Sequence, residues 1–117
     1  MRARFVCLWA LTLSSLGVGC GPAAVELPAA QTQMVHADEL VCKVDSDCVR
    51  IARIDGCGCS AGGYDGVANK AHEDTILQRI QQTYGLKKCL DVMNGDPACV
   101  GVRPACVQHR CVLVHAE

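Results

Sequence analysis

Eight cysteines crowd into residues 42–111: Cys42, Cys48, Cys57, Cys59, Cys89, Cys99, Cys106 and Cys111. An even set in so short a window, in an exported chain, reads as four disulfides. Each native bridge contributes about 2–4 kcal/mol, chiefly by constraining the unfolded chain. The fold must therefore be small, rich in loops and stapled. Eight cysteines permit on the order of a hundred pairings, and the sequence selects none of them.

Export is legible in the first nineteen residues. Arg2 and Arg4 open the chain, residues 5–13 are uncharged and apolar, and the small residues Gly17 and Gly19 precede Cys20. This is the layout of a secretory signal peptide, which takes no part in the fold. Its uncharged stretch is shorter than the roughly twenty residues a spanning helix needs. Leu16-Gly17-Val18-Gly19-Cys20-Gly21 resembles the lipobox of bacterial lipoproteins. Gly17 stands where that family usually has an aliphatic residue, while Val18, Gly19 and Cys20 fit. The resemblance implies cleavage before Cys20, lipidation of its sulfur and attachment to a membrane. Neither Gly21 nor Pro22 is acidic, which in that family points to the outer membrane. The alternative is an ordinary signal peptide, cut between residues 19 and 30, and a secreted soluble protein. Cys7 is lost with the leader in either case.

Maturation changes what the composition implies. Loss of Arg2 and Arg4 leaves nine basic residues against twelve acidic ones, a formal charge of −3. No basic stripe is present for nucleic acid, and no polybasic patch for anionic lipid, so attachment would rest on acyl chains. Phe5 and Trp9 also go, leaving Tyr64 and Tyr84 as the aromatic residues. A domain of this size with two aromatic side chains buries a thin core and depends on its cross-links.

Residues 20–37 lack sustained apolar periodicity and are expected to form a tether, with the cysteine-rich domain spanning 38–117. Val49-Arg50-Ile51-Ala52-Arg53-Ile54 is β-branched and alternating, which predicts a first strand. Asp55-Gly56 ends it, and residues 56–63 form a glycine-rich loop carrying Cys57 and Cys59. Residues 70–84 predict a helix, with Ile76, Leu77, Ile80 and Tyr84 on one face, Asn69 as N-cap and Gly85 at the C-terminal end. Residues 94–97 are a turn cluster. Residues 99–102 and 112–114 are strand-like and predict a hairpin, with Pro104 marking an edge or bend. The expected class is α+β: a short antiparallel sheet with one amphipathic helix, in the order β-α-β-β.

Few residues offer chemistry. Cys57-Gly58-Cys59 would suit thiol–disulfide exchange or a soft metal, but a redox thiol needs a helix N-terminus or cations nearby, and the sequence supplies neither. Two half-cystines leaving in different directions is the simpler reading. His36, His72, His109 and His115 do not form zinc spacing with the cysteines. Asp45-Ser46-Asp47 lacks the continuation of a calcium loop, since Val49, Arg50 and Gly56 occupy the positions that would ligate or turn, so the two aspartates are expected to turn the backbone between Cys42 and Cys48. No cofactor, metal site or catalytic residue is expected.

Cys42-Lys43-Val44-Asp45-Ser46-Asp47-Cys48 resembles a run in whey-acidic-protein domains, a family that includes protease inhibitors. The likeness covers seven residues. That family then has adjacent cysteines, where this chain has residues 49–56 before Cys57. Taken whole, the cysteine pattern resembles small exported bacterial domains, a likeness that brings no activity with it. The expected function is non-enzymatic: a lipid-anchored envelope domain that binds a protein or glycan or serves structurally. One alternative is a protease inhibitor presenting residues 60–66. A second is a thiol–disulfide or metal protein using Cys57 and Cys59.

Overall fold

The computed structural model describes residues 23–116. The leader, residues 1–19, and Cys20 lie outside the described residues. The domain is α+β and disulfide-rich. Helix α1 (Ala29–Met34) precedes strands β1 (Cys48–Ile51) and β2 (Gly66–Asn69), helix α2 (Glu73–Tyr84), and strands β3 (Val102–Val107) and β4 (Arg110–His115), with short 3-10 turns between.

The strands form two antiparallel pairs rather than one sheet: β1 with β2, and β3 with β4. In the first, Cys48 faces Asn69 and Ile51 faces Gly66. In the second, Val102 faces His115 and Cys106 faces Cys111. Strand β2 is an addition to the expected order. Gly66-Val67-Ala68-Asn69 is short and carries one β-branched residue, so its pattern is weak; pairing with β1 supplies what propensity does not. The first strand is shorter than its alternation predicts. It stops at Ile51, because Arg53 takes a left-handed backbone with φ of 63°, its N–H held by the Asp65 carboxylate at 3.0 Å. Ile54 is nonetheless fully buried.

In the C-terminal hairpin the incoming strand begins at Val102, later than residues 99–102 suggest. It runs through Pro104, which is tolerated because, among the described residues, β3 has β4 as its only ladder partner. Gln108 and His109 both have positive φ, matching the two-residue turn that fits the twist of a tight hairpin.

The expected tether is corrected from Ala24 onward. Ala24 bridges Val114, and the Val25 N–H donates to the Leu113 carbonyl at 2.8 Å. Ala30, Gln31, Met34 and Val35 are buried. Ala24 and Val25 run along the outer edge of β4 while Ala30, Met34 and Val35 join the core, a role that short-range periodicity does not reveal. The folded unit therefore starts near residue 24, not at 38.

Helix α2 follows its prediction. A 3-10 turn, Lys70–His72, leads into it, and the Asn69 side chain accepts from the Ala71 N–H at 2.9 Å, as an N-cap should. Ile76 and Ile80 are buried, whereas Leu77 stays partly exposed. The Gly85 N–H closes the helix on the Gln81 carbonyl. Ile51, Ile54, Val67, Ile76 and Leu113 make the centre of the core.

All eight domain cysteines are bonded: Cys42–Cys106, Cys48–Cys111, Cys57–Cys89 and Cys59–Cys99. The first two tie the segment before β1, and β1 itself, to the C-terminal hairpin. The last two tie the glycine-rich loop to the segment between α2 and β3.

Candidate binding surface

The glycine-rich loop is organised by two carboxylates. Asp55 accepts from the N–H groups of Cys57, Gly58 and Tyr64 at 3.0–3.1 Å. Burial alone would raise its pKa; the three donors override that and hold the carboxyl below its ordinary value, with Lys87 adding to the effect. Asp65 accepts from the N–H groups of Arg53 and Cys59 and pairs with Arg50 at 2.9 Å. Arg50 also donates to the Cys99 carbonyl. Cys57 and Cys59 are thus fixed in a rigid frame one residue apart, and each holds a different partner.

Those partners, Cys89 and Cys99, bound a segment with no regular secondary structure. Three hydrogen bonds brace it directly, and Lys87 fastens the chain just before it. The Asn94 N–H donates to the Cys59 carbonyl at 2.8 Å, and the Asn94 side-chain amide donates to the Gly63 carbonyl at 2.8 Å. The Tyr64 hydroxyl meets Asp96 at 3.2 Å. Lys87 donates to the Asp55 carbonyl and lies over the Tyr84 ring, 5.2 Å from its centroid, a cation–π arrangement. Gly62, with φ of +76°, leaves room for Leu90: a Cβ there would fall 2.9 Å from the Leu90 Cβ.

On this braced segment and just beyond its two ends the chain displays apolar side chains. Leu86 is fully exposed, Leu90 65%, Val92 57% and Met93 71% exposed, and Val100 is also open to solvent. Scattered single exposed apolar residues are ordinary, but a contiguous group marks an interaction site. Beside its start lies a shallow groove of about 250 Å³, lined by Ala52, Gly56, Leu77, Ile80 and Tyr84.

The other expectations fall out as follows. Asp47 accepts from the N–H groups of Lys43 and Val44, which lowers its carboxyl pKa, and Asp45 accepts from the Cys106 N–H at 2.8 Å. Asp47 turns the backbone between Cys42 and Cys48, as the sequence suggests, whereas Asp45 ties that segment to β3. Residues 60–66, expected as an inhibitor's presented loop, do not have that geometry. They begin in the 3-10 turn Cys59–Ala61, Gly63 and Gly66 are buried, and the stretch forms the frame rather than the display. The sulfurs of Cys42, Cys48 and Cys111 lie within 4.8 Å of one another, but all three are engaged in disulfides. Among the described residues no helix is long and apolar enough to cross a membrane.

The displayed segment escapes a sequence reading because its apolar residues follow no strand or helix period. The available signal was Leu90, Val92 and Met93 between two cysteines beside a turn cluster. Comparison with protein-family models, curated proteins and solved structures gave no match.

Proposed function

We propose that this is a non-enzymatic, lipid-anchored envelope domain that binds a protein partner through residues 86–100. The observation that carries the reading is the exposure of Leu90, Val92 and Met93 on a segment held by two disulfides and by Asn94, with Leu86 exposed just before it. An apolar surface costs solubility; rigid bracing of it favours binding, because little conformational entropy remains to be lost on association. A protein partner fits better than an anionic bilayer: Asp91 and Asp96 interrupt the apolar residues, and the mature chain carries a net charge of −3.

The lipid anchor is supported by the residues around Cys20 and by the short link that follows. With Ala24 already paired to β4, the connection from Cys20 spans at most about 15 Å, at roughly 3.3–3.6 Å per residue. The domain would then lie close against its membrane.

Two measurements test this. Intact mass and peptide mapping of membrane-extracted protein should find an acylated Cys20 at the N-terminus; an unmodified N-terminus beyond residue 20 would overturn the anchor. A photo-crosslinking amino acid at Val92 should capture a discrete protein in intact cells, whereas the same probe at exposed Asp74 should not. Equal or absent capture at both positions would overturn the binding surface.

A further inference from the structure

We infer that the partner of this surface is a second copy of the same chain, joined by a two-fold contact in which Leu86 of each copy enters the groove at the end of α2 of the other. The inference rests on residues 86–100 being the contact surface and names what covers it.

Leu86 is fully exposed, and its neighbours hold it so. The Gly85 N–H is bound to the Gln81 carbonyl, and Lys87 is fastened to the Asp55 carbonyl and lies over the Tyr84 ring. The leucine between them is presented by fixed backbone, so little freedom is lost when it is covered. Directly beside it lies the groove of about 250 Å³, with Leu77, Ile80, Tyr84 and Gly85 in its wall. A leucine side chain fits that space, since an apolar cavity of about 150 Å³ already takes a benzene molecule. Leu86 does not fill it in its own chain. Knob and slot are therefore neighbours, Leu86 following the two wall residues Tyr84 and Gly85. A two-fold axis beside Gly85 and Leu86 sets each knob over the slot of the other copy, and the contact closes with two chains. A knob remote from its slot would instead build an open chain of copies.

The charges around the knob are self-complementary. Arg53 stands at the rim of the groove, and Asp91 stands on the displayed segment. Both are exposed, and neither takes part in an ion pair among the described residues. The two-fold contact pairs Arg53 of each copy with Asp91 of the other, so both ion pairs form together. Such rim pairs select the partner and its orientation more than they add affinity. With Cys20 acylated, both copies are confined to one membrane surface, and the raised effective concentration lets a contact of this size persist.

The test co-expresses two tagged forms of the full chain in intact cells, one carrying a photo-crosslinking amino acid at Gln81, an exposed residue of the groove wall. The expected product has twice the mass of the chain, contains both tags and is linked at residues around Leu86. The same probe at Thr75, on the opposite side of α2, should give none. Leu86→Asp alters a fully exposed side chain and should lower the yield about tenfold or more, as loss of one buried leucine predicts. Asp91→Arg in both forms should lower the yield, as should Arg53→Asp in both. Aspartate is among the residues that accept the left-handed backbone at position 53. One form carrying Asp91→Arg and the other Arg53→Asp regain both ion pairs, so this mixture should recover the yield. Helical circular dichroism and four intact disulfides in the purified variants separate a lost contact from a lost fold. Absence of the doubled species, or its persistence with Leu86→Asp, would overturn the inference. So would a mixture of folded charge variants no better than either alone. If Val92 captures a different protein while Gln81 captures no second copy, the binding surface stands and only this inference fails.

Discussion

The side chain of Gln31 hydrogen-bonds both backbone groups of Val67: its amide nitrogen donates to the Val67 carbonyl at 2.8 Å, and its oxygen accepts from the Val67 N–H at 3.0 Å. These are the bonds a further strand would make along β2, so one buried side chain satisfies an edge that would otherwise need pairing. Gly66 fits the same contact, since a Cβ there would clash with the Gln31 amide oxygen. Gln31→Leu keeps the volume and leaves both Val67 groups unpaired, for an expected loss of about 2–4 kcal/mol in denaturant unfolding. A change smaller than the experimental error would show that water replaces the side chain. At the same scale, Asp55→Ala removes the acceptor for three loop N–H groups; faster amide exchange at Cys57, Gly58 and Tyr64, with the core amides unchanged, is the expected signature.

At the scale of elements, what could be read from the sequence was what local chemistry dictates. Helix α2 was legible because Asn69, the apolar face through Ile76 and Ile80, and Gly85 all agree. The hairpin was legible in outline, and the β-branched run found β1. Strand β2 and helix α1 were not, because neither has strong propensity: each is held by a distant partner, β1 in one case and Val67 with Arg79 of α2 in the other. Asn94, which fastens the displayed segment, read only as part of a turn, since its partners Cys59 and Gly63 lie more than thirty residues away. The disulfides should report this organisation under graded reduction. Cys57 and Cys89 are each half-buried, whereas Cys48, Cys111, Cys59 and Cys99 are buried. Access governs thiol attack, so the Cys57–Cys89 bridge should open first, detected by alkylation and peptide mapping while helical circular dichroism persists. Release of Cys48 or Cys111 before it would contradict this layout.

Across the whole molecule, one ion-based clasp joins parts the chain keeps far apart. Arg79 of α2 grips Glu39 with both nitrogens, at 2.7 and 3.2 Å, and also donates to the Met34 carbonyl. Glu39 in turn accepts from the His36 N–H. The Arg79 hydrogen bonds are the main cause of a Glu39 pKa below the ordinary glutamate value, outweighing the opposing effect of burial. Asp55 is lowered as well, its three N–H donors overcoming burial. A carboxyl whose folded pKa is depressed binds fewer protons in the native state than in the unfolded chain. Its stabilisation is complete above the unfolded value, near pH 4, and is lost as pH falls through the folded value. Denaturant midpoints should therefore stay level from neutrality down to about pH 5 and then fall with further acidification. Glu39→Gln should cost about 1–3 kcal/mol at neutral pH, since it leaves Arg79 without its counter-charge. It should also flatten the acid limb, because one of the titrating carboxyls is gone. A Glu39→Gln protein with unchanged neutral stability and an unchanged acid limb would show that the clasp does not join the N-terminal segment to α2 in solution. The disulfides, which do not titrate, would then hold the two together unaided.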